Sequence, residues 1–231
     1  MTPDNIKSFA LIGSDYVPGE VKAICLCFPG LNATQMFDDI ANDDKPLAHD
    51  GMLFVHPYVN PWNWMNEKTV RFADEIMDII RQKYPTQPLI LRGGSMGGYS
   101  VLAYSMFTHH KIDGICAIYP VCDLFYHWTE RPDLPRTIHD AMGDYGDISQ
   151  KLQDRSPTYH PDALPDCPYL FIHGFADVRV NKAAHTDRMV KMLRDLGRDV
   201  KYVEAPGMGH GVHFTYEAIA AVKEFLTSYL K

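Results

Sequence analysis

Short apolar, β-branched or aromatic runs alternate along this chain with longer stretches of helical periodicity. The runs fall at residues 9–12, 23–28, 52–56, 89–92, 114–119, 169–173 and 200–204, and most read as short buried strands. Helices are predicted over 67–83, 97–108, 182–196 and 215–230; in the first, Val70, Ala73, Ile76, Met77 and Ile80 recur at helical spacing and mark one apolar face. Strand and helix thus alternate. Parallel strands need crossover connections, and right-handed crossovers place helices on both faces of a sheet. The pattern therefore predicts a three-layer α/β/α sandwich with a mostly parallel central sheet, formed by residues 1–231 as a single domain. One stretch breaks the rhythm. Residues 123–168 are rich in Pro, Asp, His and aromatics, with one short helical pattern near 137–142. They read either as a small cap over a site or as an irregular surface excursion.

Composition narrows the function classes. Of the 231 residues, 46% are hydrophobic and 22% charged, as in ordinary soluble globular proteins. The formal charge is -7 and no Lys/Arg run occurs, so neither nucleic acid nor an anionic membrane is an expected partner. No apolar run is long enough to cross a bilayer, and the first residues show no basic-then-apolar leader, which predicts a cytoplasmic protein. Cys25, Cys27, Cys116, Cys122 and Cys167 lack CxxC spacing and sit mostly within apolar runs, where cysteine acts as a small buried hydrophobe. No HExxH, EF-hand or Walker pattern appears, so neither a metal nor another cofactor is expected.

Ligands in parallel sheets bind beyond the carboxyl ends of the strands, which directs attention to residues following the apolar runs. Residues 89–99 read Leu-Ile-Leu-Arg-Gly-Gly-Ser-Met-Gly-Gly-Tyr, passing from strand to helix with Gly-x-Ser-x-Gly at Gly93, Ser95 and Gly97. A nucleophile elbow needs this spacing, because the serine occupies a strained turn and its neighbours must be tiny for helix and strand to pack closely. The run lacks the Lys-Ser/Thr ending of a P-loop and the spacing of a dinucleotide-binding turn. A serine nucleophile requires a base, and the base requires an orienting carboxylate. His210 lies among glycines in Pro206-Gly-Met-Gly-His-Gly after the last run, and Asp177 lies in the turn after 169–173, giving the order Ser, Asp, His. His213 and His173 are rivals for the base, and Asp123 for the acid. Backbone N–H groups of Met96 and of Leu31, in Pro29-Gly-Leu-Asn32, are the expected oxyanion donors, with Asn32 as the neighbouring candidate. Trp62, Trp64 and Tyr99 are expected to line a substrate pocket.

Taken together, Gly93-Gly-Ser-Met-Gly-Gly98, Ser156-Pro157 with Tyr159-His160, His173-Gly-Phe-Ala-Asp-Val-Arg-Val180 and Pro206-Gly-Met-Gly-His-Gly211 resemble the α/β-hydrolase superfamily. The resemblance runs from about Ala23 onward and is specifically to compact esterases and the catalytic domains of the prolyl oligopeptidase (S9) group. It implies two-step acyl transfer through Ser95. Dienelactone hydrolases, another compact relative, use cysteine where this chain has Ser95. The β-propeller that filters peptide substrates in the S9 group has no counterpart in these residues, and Asn181-Lys182 departs from the usual sequence after the acid. The expected activity is therefore hydrolysis of small or medium carboxylic esters, such as acylated carbohydrate or aryl esters. The alternatives are an S9-like peptidase or amide hydrolase, and a noncatalytic binding protein on the same scaffold. Oligomeric state is not encoded in any of these patterns.

Overall fold

The computed structural model describes residues 1–33 and 38–231. Seven strands form one sheet: β1 (Ala10–Ile12), β2 (Ala23–Phe28), β3 (Met52–Pro57), β4 (Leu89–Gly94), β5 (Gly114–Ile118), β6 (Tyr169–Gly174) and β7 (Val200–Ala205). Their order is β1-β3-β2-β4-β5-β6-β7, with β1 antiparallel to β3 and every other pair parallel. The predicted strands are all present, displaced by a residue or two at their ends. Eight α-helices accompany them among the described residues: α1 (Lys45–His49), α2 (Glu67–Lys83), α3 (Met96–Phe107), α4 (Leu124–Glu130), α5 (Leu134–Met142), α6 (Ser149–Asp154), α7 (Arg188–Asp195) and α8 (Tyr216–Thr227).

Side-chain alternation along the strands creates the layers. Ile24, Leu26 and Phe28 of β2 share one buried cluster with Ile76 and Met77 of α2, Val101 and Leu102 of α3, and Met189 and Leu193 of α7. Ala23, Cys25 and Cys27 point the other way, into a cluster with Leu47 of α1 and Leu226 of α8. This is the three-layer α/β/α architecture of an α/β-hydrolase, and each fully buried aliphatic side chain in it contributes about 1.5–3 kcal/mol. A buried ion pair ties α1 to the sheet: both Arg92 terminal nitrogens bind Asp44 at 2.6 Å. Asn66 caps α2 by accepting from the Thr69 N–H at 2.9 Å, while its amide donates to the Ala141 carbonyl at the end of α5.

Two local expectations are corrected. The stretch expected to be largely irregular after residue 123 contains three short helices, α4 to α6. Asp123 caps α4 through the Tyr126 N–H, Gly143 ends α5 in the left-handed conformation, and the Ser156 hydroxyl accepts from Leu124 N–H and donates to the Leu152 carbonyl. The pattern expected near 137–142 is the second half of α5, whereas α4 and α6, at 7 and 6 residues, are too short to show a helical period in sequence. The helix expected from 182 instead opens with a π-type turn over Ala183–Asp187 before α7.

The topology fixes where a site can form. β2 lies between β3 and β4, so the connection leaving β2 and the one leaving β4 diverge to opposite sides of the sheet, leaving a crevice at their carboxyl ends. Phe28 pairs with Gly93, Gly94 with Ile118, Ile118 with Ile172 and Gly174 with Ala205, so these strands end level along one edge.

Candidate active site

Ser95 sits at the tip of the turn between β4 and α3, with φ 59° and ψ -122°. Such a conformation in a non-glycine residue costs about 1–3 kcal/mol and persists only where its surroundings enforce it. Close packing enforces it here. A Cβ on Gly93 would lie 2.3 Å from the Gly97 carbonyl oxygen, and one on Gly97 would lie 2.3 Å from the Phe28 carbonyl oxygen. Only glycine at both positions lets α3 begin directly against β4 and β2.

The structure brings the three expected side chains into one chain of hydrogen bonds. His210 Nε2 lies 2.8 Å from Ser95 Oγ, and His210 Nδ1 lies 2.7 Å from Asp177 Oδ2. The other carboxylate oxygen accepts from the Arg179 and Val180 N–H groups at 2.8 and 3.1 Å. His173 Nε2 is 3.3 Å from Asp177 Oδ2, off the line of a well-formed hydrogen bond. Burial of the Asp177 carboxyl opposes its ionisation, but His173, His210 and the two backbone donors outweigh that effect and hold it well below the usual carboxylate range. An ionised carboxylate only accepts, so Nδ1 carries the imidazole proton and Nε2 presents its lone pair to the serine hydroxyl. The Tyr119 ring packs 4.7 Å from that of His210, covering one side of the imidazole.

None of the rivals takes the place of His210 or Asp177 beside Ser95. Asp123 caps α4 and receives Arg188 Nη1 at 2.8 Å. His173 is buried with Nδ1 2.6 Å from Thr186 Oγ1, and His213 is exposed and does not line the cavity beside Ser95.

That cavity has a volume of about 380 Å³. Its wall includes Gly30, Leu31 and Asn32 from the loop after β2, and Ser95 and Tyr119 from the ends of β4 and β5. Among the described residues, the Leu31 and Met96 N–H groups have no intramolecular acceptor, whereas the Asn32 N–H donates to the Pro61 carbonyl at 2.8 Å. The first two are thus free to meet an oxyanion and the third is not. Backbone strain concentrates on this wall. Six described non-glycine residues have positive φ, and four of them, Asn32, Trp64, Ser95 and Tyr119, line the cavity.

Of the residues expected to contact substrate, Trp64 lines the cavity, with its indole N–H donating to Thr137 Oγ1 at 3.0 Å. Tyr99 does not. One helical turn after Ser95, it points into the core, fully buried, and its hydroxyl donates to the Arg155 carbonyl. Trp62 is also outside the wall: the turn fixed by Asn63, which binds the Asn60 carbonyl and the Met65 N–H, leaves Trp62 38% exposed. Sequence reasoning missed Tyr119, His127, Arg131, Arg179 and Val180, which complete the wall. Tyr119 had a usable signal, since it directly follows a strand; His127 and Arg131 had none, because they lie at the end of a short helix from another part of the chain.

Two groups of described residues have the composition of a metal site. Asp74, His109 and His110 form one, where Asp74 Oδ1 already accepts from the Tyr104 and Thr108 hydroxyls. His127, Glu130 and His185 form the other, beside the cavity. There His185 Nδ1 accepts from the Cys122 and Asp123 N–H groups, so its proton resides on Nε2, which lies 3.0 Å from Glu130 Oε2. His127 Nδ1 approaches the same oxygen at 2.6 Å, and Glu130 Oε1 accepts from the Asn181 N–H at 2.7 Å. Burial disfavours the Glu130 charge, yet donation from His127 and His185 brings its pKa down to about 2. Protons therefore occupy the positions a cation would need, and the cluster is a hydrogen-bonded brace.

The prolyl oligopeptidase family model (Peptidase_S9) matches residues 62–231. Acyl-protein thioesterase 1 of Neurospora crassa is 27% identical over 160 residues, a span covering 69% of this chain and 53% of that protein; the chain thus spans about half the length of this curated relative. A puromycin-hydrolyzing peptidase of Mycobacterium tuberculosis shares the fold with a TM-score of 0.75 and 18% identity, over 91% of this chain and 34% of that one. The esterase PE8 gives a TM-score of 0.64 at 18% identity, covering 92% of this chain and 95% of its own. At these identities the two solved structures speak to fold alone.

Proposed function

The chain belongs to the prolyl oligopeptidase family of α/β-hydrolases, and from that premise we propose that it is a serine hydrolase that cleaves carboxylic esters of small or medium size. The observation that carries the reading is the unbroken line from Asp177 through His210 to Ser95, at 2.7 and 2.8 Å, opening onto a cavity. In this reading His210 Nε2 takes the Ser95 proton as Oγ attacks the ester carbonyl, and Asp177 stabilises the imidazolium that forms. The Leu31 and Met96 N–H groups receive the oxyanion. His210 then protonates the departing alcohol, and water enters to release the acyl group by the same steps.

A thioester is the second reading, favoured by the curated thioesterase relative. It uses the same site and the same acyl-enzyme. Turnover of 4-nitrophenyl acetate and butyrate, the matching thioesters and aminoacyl anilides should be compared for the wild type and Ser95→Ala. Ester turnover that disappears in the variant is the expected result. Anilide cleavage faster than ester cleavage would replace the proposal with peptidase activity.

A further inference from the structure

The cavity beside Ser95 carries a charge pattern that the ester-hydrolase reading does not use. Two guanidinium groups, Arg131 and Arg179, line it, and no carboxylate does among the described residues. They come from distant parts of the chain, the end of α4 and the turn holding Asp177. Asn181 Nδ2 donates to the Tyr126 hydroxyl at 3.4 Å, and in the shorter contact between the two segments Glu130 Oε1 accepts from the Asn181 N–H at 2.7 Å. Glu130 immediately precedes Arg131, and Asn181 follows Arg179 by two residues, so this bond sets both arginines on one rim. The remaining oxygen of Glu130 turns inward to His127 and His185, at 2.6 and 3.0 Å, so the carboxylate acts as a strut and leaves the arginines facing the cavity.

The two arginines have different partners. Asp133 engages Arg131 through Nε and Nη2, aligning the guanidinium and leaving its Nη1 donors free. Arg179 makes no side-chain hydrogen bond or ion pair among the described residues, and it is exposed. Guanidinium forks match the two oxygens of a carboxylate, and such charge-assisted bonds are among the stronger polar contacts.

We propose that the cavity selects esters that also bear an ionised carboxylate, held between Arg131 and Arg179 while the scissile carbonyl rests at Ser95; this rests on the ester-hydrolase reading above. Since Asp133 offsets part of the charge of Arg131, Arg179 carries the larger share of the selectivity. A cationic substrate is disfavoured by the same pair.

The test uses matched substrates that place the carboxylate on either side of the ester. Mono-4-nitrophenyl glutarate is compared with 4-nitrophenyl pentanoate for an acyl-side carboxylate, and 4-acetoxybenzoate with 4-tolyl acetate for an alcohol-side one. In at least one pair the anionic ester should have a kcat/KM about tenfold higher, by a ratio that falls as salt is added. That ratio should drop about tenfold in Arg179→Gln, less in Arg131→Gln, and recover in part in Arg179→Lys. Equal or better use of the neutral ester in both pairs, or an unchanged ratio in both glutamine variants, overturns the proposal. Calorimetric binding of two unreactive amides to Ser95→Ala, glutaric acid monoanilide for the acyl side and 4-acetamidobenzoate for the alcohol side, reads the clamp without turnover: binding of either that weakens when Arg179→Gln is added supports it, and binding of neither, or binding indifferent to Arg179→Gln, overturns it. Absence of Ser95-dependent hydrolysis of all four esters would instead count against the ester reading, with the clamp itself then judged by the calorimetry.

Discussion

Replacing Asp177 with asparagine tests the logic of the site at a single atom. Asp177 Oδ1 accepts from two backbone N–H groups at 2.8 and 3.1 Å, and Oδ2 faces His210 Nδ1 at 2.7 Å. An asparagine has one acceptor oxygen, and leaving it toward the two backbone donors places its NH2 against Nδ1. Nδ1 must then accept, which moves the imidazole proton to Nε2, the atom 2.8 Å from Ser95 Oγ. The base then has no lone pair for the serine proton. In serine hydrolases this wrong tautomer lowers kcat by about ten-thousandfold, or roughly 5 kcal/mol of transition-state stabilisation. The assay is steady-state hydrolysis of 4-nitrophenyl acetate near pH 7, with urea unfolding to confirm that the near-isosteric variant is folded. A kcat within about tenfold of wild type would refute the tautomer argument and Asp177 as the orienting group.

Other perturbations probe the scaffold. Glu130 has its pKa depressed from 4.5 to about 2, so its ionised form stabilises the folded state, by about 3 kcal/mol. That contribution is complete above pH 4.5 and is lost as pH falls toward 2, so urea unfolding of Glu130→Gln should show a flatter decline over this window; a slope equal to wild type contradicts it. Asp44→Ala leaves the Arg92 guanidinium without its partner in a buried site and should cost about 3–5 kcal/mol, a loss that an added Arg92→Met should largely restore. Thermal unfolding of both decides it, and a single variant as stable as wild type would contradict a buried pair. Gly97→Ala drives a Cβ to 2.3 Å from the Phe28 carbonyl oxygen, so denaturant unfolding should show a loss of at least about 2 kcal/mol. A neutral effect would mean that α3 does not pack on β2 as described.

How much of this was legible in the sequence follows from what each feature depends on. The elbow was legible because its constraint is local: Gly93, Ser95 and Gly97 must be what they are for a strand to turn directly into a helix. Asp177 and His210 were legible because each follows a strand, and parallel strands end level. Arg131 and Arg179 carried no such signal, since tertiary contacts of Asn181 with α4, not nearness in sequence, make them neighbours. Tyr99 was misplaced for a related reason. Its number is close to that of Ser95, but a helix turns its side chains every residue, and position 99 faces the core. The short helices α4 and α6 escaped detection, and α5 was foreseen only over its last residues, because each spans at most about two and a half turns, too few for a full period to emerge, although the cap at Asp123 and the stop at Gly143 were present.

The central claim is that Ser95 is an activated nucleophile, and covalent labelling addresses it most directly. Wild type and Ser95→Ala would be incubated with a fluorophosphonate near neutral pH, and the adduct located by intact-mass and peptide mass spectrometry. One adduct per chain, on Ser95 and absent from the variant, is the predicted result. An unlabelled wild type, or equal labelling of both proteins, would contradict it.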